Sequence, residues 1–192
     1  MTSVATNCLS QDLFAKIDEQ IRRLLGIISR LPAGNLHWRP SLPQMPVATP
    51  RSVGELLGHL LQCLAGFVAV LYAVHPDEFS HFLELRQRPV NHFCQEAEAL
   101  ERISEYRDYL GQGFRLLTDE QLAHVIPTVF VKEGETVLTL LLGNFEHLVN
   151  HKHELFMYAK FLGVPLASAD LYQFRTELPV QPRSGVPDGG SS

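Results

Sequence analysis

Apolar residues recur at steps of three and four in four long stretches of this sequence, and this spacing limits the folds that the chain can adopt. The stretches cover about residues 11–31, 53–74, 95–117 and 136–163. Steps of three and four place side chains on one face of an α-helix, which has 3.6 residues per turn. No stretch of similar length alternates with the period of two that marks a half-buried strand. The sequence therefore predicts an all-α domain, a four-helix bundle.

The segment between the first and second predicted helices is long and rich in proline. Its sequence, NLHWRPSLPQMPVATPR, contains four prolines, each of which disfavours helix in the residue before it. The second helix is then predicted to begin at Ser52–Glu55, because Ser and Glu three residues apart form a capping box. Two smaller elements are expected further on: a short helix around Glu78–Leu85 and a short extended piece or hairpin arm within VIPTVFV, residues 125–131.

The length of 192 residues suits one domain with a sizeable core. We expect this single domain to cover residues 1–178. The sequence after residue 178 is dominated by Pro, Gly and Ser, so residues 179–192 are predicted to form a flexible tail.

Charge and cysteine content argue against several classes of partner. The formal net charge is −5, and no basic stretch resembles those that bind phosphate backbones. The apolar run Leu56–Val74 approaches membrane-spanning length, but His59 and Gln62 interrupt it, which favours a buried bundle helix. Three irregularly spaced cysteines fit free thiols in a reducing compartment, and the first residues lack a signal-peptide pattern. We therefore expect a soluble, cytoplasmic protein that binds neither nucleic acid nor membrane.

A polar line along the fourth predicted helix is the main chemical feature of the sequence. His147 and His151 are four residues apart, which places them one turn apart on the same helix face. Asn144, Glu154 and Tyr158 continue that face. Burying such a line without partners is costly, whereas a metal ion with hydrogen-bonded neighbours satisfies it. We therefore expect the two histidines to bind a metal ion and the other three residues to lie around it.

Two histidines alone are fewer than the three protein ligands that a catalytic site of the zinc type usually has. His59 is the best third candidate, because it lies among leucines in the second helix, where a lone imidazole needs a partner. Glu55 and Cys63 share its face. Glu55 is better explained as a helix cap, although it stays a candidate neighbour of the site, and Cys63 is better explained as packing. The sequence assigns no catalytic residue.

Three segments together resemble a known family. They are RSVGELLGHLLQ in the second helix, EHLVNHKHELFMYAKFLG in the fourth, and LHWRP in the connection before the second helix. The combination resembles the DinB/YfiT-like superfamily of metalloproteins. The resemblance implies a four-helix bundle, often dimeric, in which His59, His147 and His151 bind one divalent metal ion. It also implies a class of reaction, since some members are transferases that use low-molecular-weight thiols such as bacillithiol, mycothiol or glutathione.

One departure from the family pattern concerns the residues after the last histidine. Many members have Arg-Gly-Gln there, and this chain has Lys152-His153-Glu154. The three histidines are unaffected by the change. The change alters the surroundings of the metal and removes any substrate contact that the Arg and Gln would make. Glu154 also adds a negative charge that can bind the ion or accept a proton.

Three functions are compatible with these features. We prefer thiol-dependent transfer to a small-molecule substrate, with one divalent ion and a low-molecular-weight thiol as cofactors. The first alternative is metal-assisted hydrolysis with Glu154 as the proton acceptor. The second is a metal-binding or interaction bundle without enzymatic activity. Three imidazole ligands do not identify the metal, although zinc, nickel and iron are expected first. A homodimer is expected from the resemblance.

Overall fold

Five α-helices, two short 3₁₀-helices (Gln121–Ala123 and Ser168–Asp170) and one pair of two-residue strands make up the regular structure of the described residues. The computed structural model describes residues 8–41, 50–80, 82–127 and 133–172. The helices are α1 (Cys8–Ile28), α2 (Val53–Val74), α3 (Phe82–Gln87), α4 (Glu96–Leu116) and α5 (Val137–Phe161). Strands β1 (Val125–Ile126) and β2 (Glu135–Thr136) pair antiparallel.

The four predicted long helices are confirmed as α1, α2, α4 and α5, and the all-α bundle is confirmed with them. The short helix lies at Phe82–Gln87, somewhat later than the predicted Glu78–Leu85. The predicted extended piece is present at its start as β1, Val125–Ile126, and residues 128–131 lie outside the described residues. The predicted tail at 179–192 lies outside the described residues, as do residues 42–49 of the proline-rich connection.

The helices follow one another around the bundle in the order α1, α4, α2, α5. Helix α2 packs extensively against both α4 and α5, and α1 completes the bundle by packing against α4 and, less extensively, α5. Helices α1 and α2 therefore lie diagonally across the bundle, although they are consecutive in sequence. A short turn cannot join diagonal helices, and this accounts for the long connection between Ile28 and Val53.

The start of α2 is fixed by its capping box and by the connection that precedes it. The predicted box is confirmed: Ser52 Oγ accepts a hydrogen bond from the Glu55 amide at 3.3 Å, and Glu55 Oε2 accepts one from the Ser52 amide at 2.8 Å. The next two amides of the helix, those of Val53 and Gly54, donate to the carbonyl oxygens of Trp38 and Leu36. Most free amides of this helix end therefore have partners.

Helix α2 is long and apolar enough, by length and composition alone, to span a membrane, and among the described residues no other helix is. Most of its length is buried against α4 and α5, with Leu57, Leu60 and Phe67 at 0 % exposure. This burial accounts for its apolar composition, as in the core helix of a soluble protein.

Two glycines allow the segment 91–94 to approach the backbone of α2 closely. The amides of Asn91 and Cys94 donate to the carbonyl oxygens of Gly58 and Gly54 at 2.8 and 2.9 Å. A Cβ atom at Gly58 would lie 1.7 Å from the carbonyl oxygen of His92, which is backbone and cannot rotate away. We call this contact the glycine seam. Only a residue without a side chain fits at Gly58.

Lys152 is buried between α5, α1 and the C-terminal turn of the described chain. Its ammonium group donates to the side-chain oxygen of Gln20 on α1 and to the carbonyl oxygen of Leu171. It is 2 % exposed, and burial lowers its pKa to about 8. The residue that departs from the family pattern thus points into the bundle and joins three parts of the chain.

A matched pair of glycine variants tests the glycine seam. Gly58→Ala should lower the free energy of unfolding by about 2 to 4 kcal/mol, because the new methyl group displaces backbone. Gly26→Ala in α1 should raise it by up to about 1 kcal/mol through helix propensity, since no described atom lies within 4 Å of the added methyl group. Urea denaturation measures both changes. Equal effects of the two variants would contradict the close approach.

The pH dependence of stability tests the burial of Lys152. The unfolded amine holds its proton up to about pH 10.4, whereas the folded one loses it near its lowered pKa of about 8. Between about pH 8 and pH 10.4 the unfolded state binds more protons than the folded state, so the free energy of unfolding rises with pH in this range. Below about pH 8 both states are protonated, and the cost of burying the charge does not change with pH. Relative to Lys152→Met, the parent should gain about 2 kcal/mol between pH 7 and pH 10. A pH-independent difference in denaturation free energy would contradict this.

Candidate metal centre

The packing of α2 against α5 brings the three predicted ligands together. His59 lies on α2, and His147 and His151 lie one turn apart on α5. His59 Nε2 lies 3.1 Å from His147 Nε2 and 3.0 Å from His151 Nε2. His59 is 7 % exposed, whereas the side chain of His151 is 19 % exposed. The cluster is therefore anchored in the core by His59 and open to solvent on the α5 side.

The second ring nitrogen of two of these histidines is held by an oxygen acceptor. His59 Nδ1 lies 3.0 Å from the side-chain oxygen of Asn91, and His151 Nδ1 lies 2.8 Å from Glu154 Oε2. An amide oxygen and an ionised carboxylate only accept hydrogen bonds, so both Nδ1 atoms carry the proton. In the neutral rings, the Nε2 atoms of His59 and His151 then present lone pairs to each other.

Two lone pairs 3.0 Å apart repel each other unless a positive charge lies between them. A proton on His59 is disfavoured, because burial lowers the pKa of this imidazole and the positive charge of Arg51 adds to the effect, while the hydrogen bond to Asn91 opposes it. Burial, followed by His151 and Arg51, likewise lowers the pKa of His147. A metal ion requires neutral imidazoles. Nitrogens about 2.1 Å from one ion at angles of about 90 to 110° lie about 3.0 to 3.4 Å apart. The observed separations fit this range at its lower end.

Glu154 and Tyr158 form a chain of hydrogen bonds behind His151. The Tyr158 hydroxyl donates to Glu154 Oε1 at 2.8 Å, while Glu154 Oε2 accepts from His151. The hydrogen bond from His151 holds the pKa of Glu154 below its usual range, and burial opposes that shift. Burial raises the pKa of Tyr158, and its hydrogen bond to Glu154 adds to the effect. The Trp38 ring packs edge-on against Tyr158 at 5.4 Å and covers this chain.

The remaining predicted neighbours, Asn144 and Glu55, contact other parts of the bundle. The side-chain oxygen of Asn144 lies against α2 at Gly66, 2.4 Å from the position that a Cβ atom would occupy there. Glu55 binds the Ser52 amide with one oxygen and Arg39 with the other, at 2.9 Å. Both oxygens of Glu55 are thus used at the start of α2.

Cys63, which the sequence analysis assigned to packing, is buried close to the cluster. Its Sγ atom and the ring nitrogens of His59 and His147 all lie within 4.8 Å of one another, which makes the three residues a possible metal-ligand group. Burial raises the pKa of this thiol to about 12, and Sγ donates to the His59 carbonyl oxygen at 3.4 Å. The thiol is protonated unless a metal ion displaces the proton.

A second group with metal-ligand chemistry lies at the start of α4. It consists of His92, Cys94 and Glu98. The buried Arg102 contacts Glu98 Oε1 at 3.1 Å, and His92 Nε2 contacts the same oxygen at 3.0 Å. A guanidinium group at the only carboxylate of the group repels a further cation. This arrangement favours an ion pair rather than a metal site.

The sequence analysis missed two residues near the cluster, Asn91 and Arg51. Asn91 lies in an irregular segment 32 positions after His59, and periodicity gives no signal there. Arg51 precedes the capping box, and its charge acts on His59, His147 and Glu154. Its position one residue before a predicted helix cap is the signal that places it near the start of α2.

Fold and cluster together define a helical bundle with histidines that converge from facing helices. Comparison with known proteins agrees. The model of the DinB superfamily matches residues 16–155, a range that contains all three histidines, and the chain belongs to this superfamily. A crystal structure of the DinB-like protein YjoA from Bacillus subtilis is similar, with a TM-score of 0.58 and 18 % identity over 81 % of this chain and 96 % of that chain. At this identity the similarity shows the fold alone. No curated protein matches the chain.

Metal analysis tests the cluster directly. Elemental analysis of the untagged protein should find one divalent ion per chain, and His59→Ala and His151→Ala should lose it because only two histidines remain. His153→Ala is the matched control and should keep the metal, since His153 is exposed and stacks on Phe156. Metal retained at one per chain in both ligand variants would refute the proposed ligand set.

Proposed function

We propose that this protein binds one divalent metal ion through His59, His147 and His151 and is a metal-dependent enzyme that joins a low-molecular-weight thiol to a small electrophilic substrate. The observation that carries the metal site is the approach of the Nε2 atoms of His59 and His151 to 3.0 Å while their Nδ1 atoms face oxygen acceptors. Such a pair is stable with a shared cation and unfavourable without one. Membership of the DinB superfamily supports the same assignment.

The chain's own residues hold the ligands and leave one side of the cluster accessible. Glu154 orients His151 and raises the electron density of its ring, while the Tyr158 hydroxyl holds the Glu154 carboxylate in place. The partly exposed α5 side leaves room for a further ligand from solvent. A bound divalent ion supplies one effect there: it lowers the pKa of a thiol or a water molecule that joins its coordination shell.

In the proposed transfer, the thiol sulfur forms the new bond to an electrophilic carbon of the substrate. The leaving group departs from that carbon with the bonding electron pair, and the thiol proton passes to solvent. The positive charge of Arg51 near His59 and His147 favours an anionic thiolate over a neutral thiol in this region. Zinc, nickel and iron all suit three imidazoles.

Hydrolysis with Glu154 as the proton acceptor receives less support. Both oxygens of Glu154 already accept hydrogen bonds, one from His151 and one from Tyr158. These hydrogen bonds, that from His151 first, hold the pKa of Glu154 below its usual range, whereas a general base works best with a pKa near the operating pH. We therefore rank thiol transfer above hydrolysis.

A metal-binding bundle without enzymatic activity is the second candidate, and Cys63 is the observation that favours it. A buried thiol within 4.8 Å of the ring nitrogens of His59 and His147 can complete a closed set of four ligands. Structural sites have four protein ligands, whereas catalytic sites keep one position open. The coordination state of Cys63 distinguishes the two candidates.

We further propose that the protein is cytoplasmic and forms a homodimer. Buried free thiols at Cys63 and Cys94 suit a reducing compartment. Met157 and Phe161 lie one turn apart on α5 and are exposed, which suits a face shared by two copies. The expected partners remain a small-molecule substrate and a second copy of the chain.

Product analysis with and without thiol tests the reaction. Metal-loaded protein should convert an activated aryl chloride or an epoxide to the thioether only when bacillithiol, mycothiol or glutathione is present. His147→Ala should lower the rate about a hundredfold or more, because the ion is lost. Formation of the alcohol without thiol would instead support hydrolysis.

Cobalt substitution distinguishes the open catalytic site from the closed, non-enzymatic site in which Cys63 is the fourth ligand. Weak visible bands report binding of Co²⁺ by the histidines, and a strong near-ultraviolet band reports a cobalt–sulfur bond. The proposed enzyme should show the visible bands alone until external thiol is added. A strong band in the absence of added thiol, lost in Cys63→Ser, would support a closed site.

A further inference from the structure

Asn91 has an unusual backbone conformation. Its φ is 59°, and among the described residues no other residue except glycine has a positive φ. This left-handed region is unfavourable for most side chains, and Asn is one of the few that tolerate it. The conformation therefore needs support from the surrounding structure.

Two helices hold the segment that contains Asn91. The glycine seam attaches it to α2 through the Asn91 amide and the close approach of His92 at Gly58. Helix α4 holds the other side, where Arg102 donates to the Pro89 carbonyl oxygen at 2.7 Å and His92 contacts Glu98 at 3.0 Å. The backbone of Asn91 is thus fixed relative to both helices.

The side chain of Asn91 ends at the metal cluster. The side-chain oxygen accepts a hydrogen bond from His59 Nδ1 at 3.0 Å. The backbone amide of Asn91 donates to the carbonyl oxygen of Gly58, the residue before His59. Asn91 therefore contacts α2 twice at the point where the buried ligand begins. The corresponding acceptor for His151 Nδ1 is Glu154, which lies on the same helix and is itself held by the Tyr158 hydroxyl.

We propose that Asn91 is the positioning residue of His59. Its oxygen holds the ring in the tautomer with the proton on Nδ1, so that Nε2 is unprotonated and faces His147 and His151. Its importance for metal affinity rests on the function proposed above, whereas its control of the tautomer is independent of any metal. The glycine seam and the left-handed backbone of Asn91 together place its side-chain oxygen at His59 Nδ1.

Two substitutions at this position separate the side chain from the backbone. Asn91→Gly adopts a positive φ without strain and removes only the acceptor. Asn91→Asp keeps an oxygen in place and makes it a stronger acceptor, because the hydrogen bond becomes charge-assisted. Loss in the first variant and rescue in the second would assign the effect to the oxygen rather than to the fold of the segment.

The first measurement uses metal-free protein. Nitrogen-15 NMR of the imidazoles, at a pH where they are neutral, should show His59 of the parent as the Nδ1–H tautomer. Asn91→Gly should give a mixture of tautomers, and Asn91→Asp should match the parent. An Nε2–H tautomer in the parent, or an unchanged tautomer in Asn91→Gly, would overturn the proposal whether or not the protein binds metal.

The second measurement is titration with Zn²⁺ or Co²⁺. Asn91→Gly should bind about 10- to 100-fold more weakly than the parent, the usual effect of removing a hydrogen-bond partner of a ligating histidine. Asn91→Asp should bind at least as tightly as the parent. A parent that binds no metal would refute the proposed function and leave the tautomer result standing. Tight metal binding by the parent and equally by Asn91→Gly would overturn the positioning role alone.

Discussion

The structure depends on the close approach of two imidazole nitrogens across the contact between α2 and α5. The Nε2 atoms of His59 and His151 lie 3.0 Å apart, and the opposite nitrogen of each ring faces an oxygen that only accepts hydrogen bonds. Each ring therefore directs a lone pair toward the other. In a buried, low-dielectric setting this arrangement is unfavourable by itself and favourable around a cation. The pair joins α2, the most apolar helix of the bundle, to α5 through a polar contact that suits a shared cation.

The rest of the bundle fixes that approach from several directions. Helix α2 is held at its start by the capping box and by the carbonyl oxygens of Leu36 and Trp38, and along its length by contact with α4 and α5. The lack of a side chain at Gly58 then allows a loop to reach the backbone beside His59. On α5, the hydrogen bonds of Glu154 and Tyr158 restrict His151. The positions of the histidines are thus fixed by backbone packing on one helix and by side chains on the other.

Local patterns in the sequence predicted the helices, the capping box and the pair His147 and His151, because each depends on residues within one or two helical turns. His59 could be selected as well, since an imidazole among leucines needs a partner wherever the helix packs. Asn91 could not be predicted, because its role arises only when an irregular loop folds back on α2. The inward direction of Lys152 was equally hidden, since a lysine next to a ligand is usually exposed and only the α1 contact draws it into the core.

The diagonal placement of consecutive helices affects how the bundle forms. In an up-and-down bundle, each helix packs on the next one in the chain. Here α1 packs on α4 rather than on α2, and α2 packs on α5, from which it is separated in the chain by α3 and α4. Closing such loops costs chain entropy before any contact compensates for it. The helix contacts are therefore less local than in an up-and-down bundle of equal length, and we expect slower folding. The histidines from α2 and α5 meet only once these two helices have packed together.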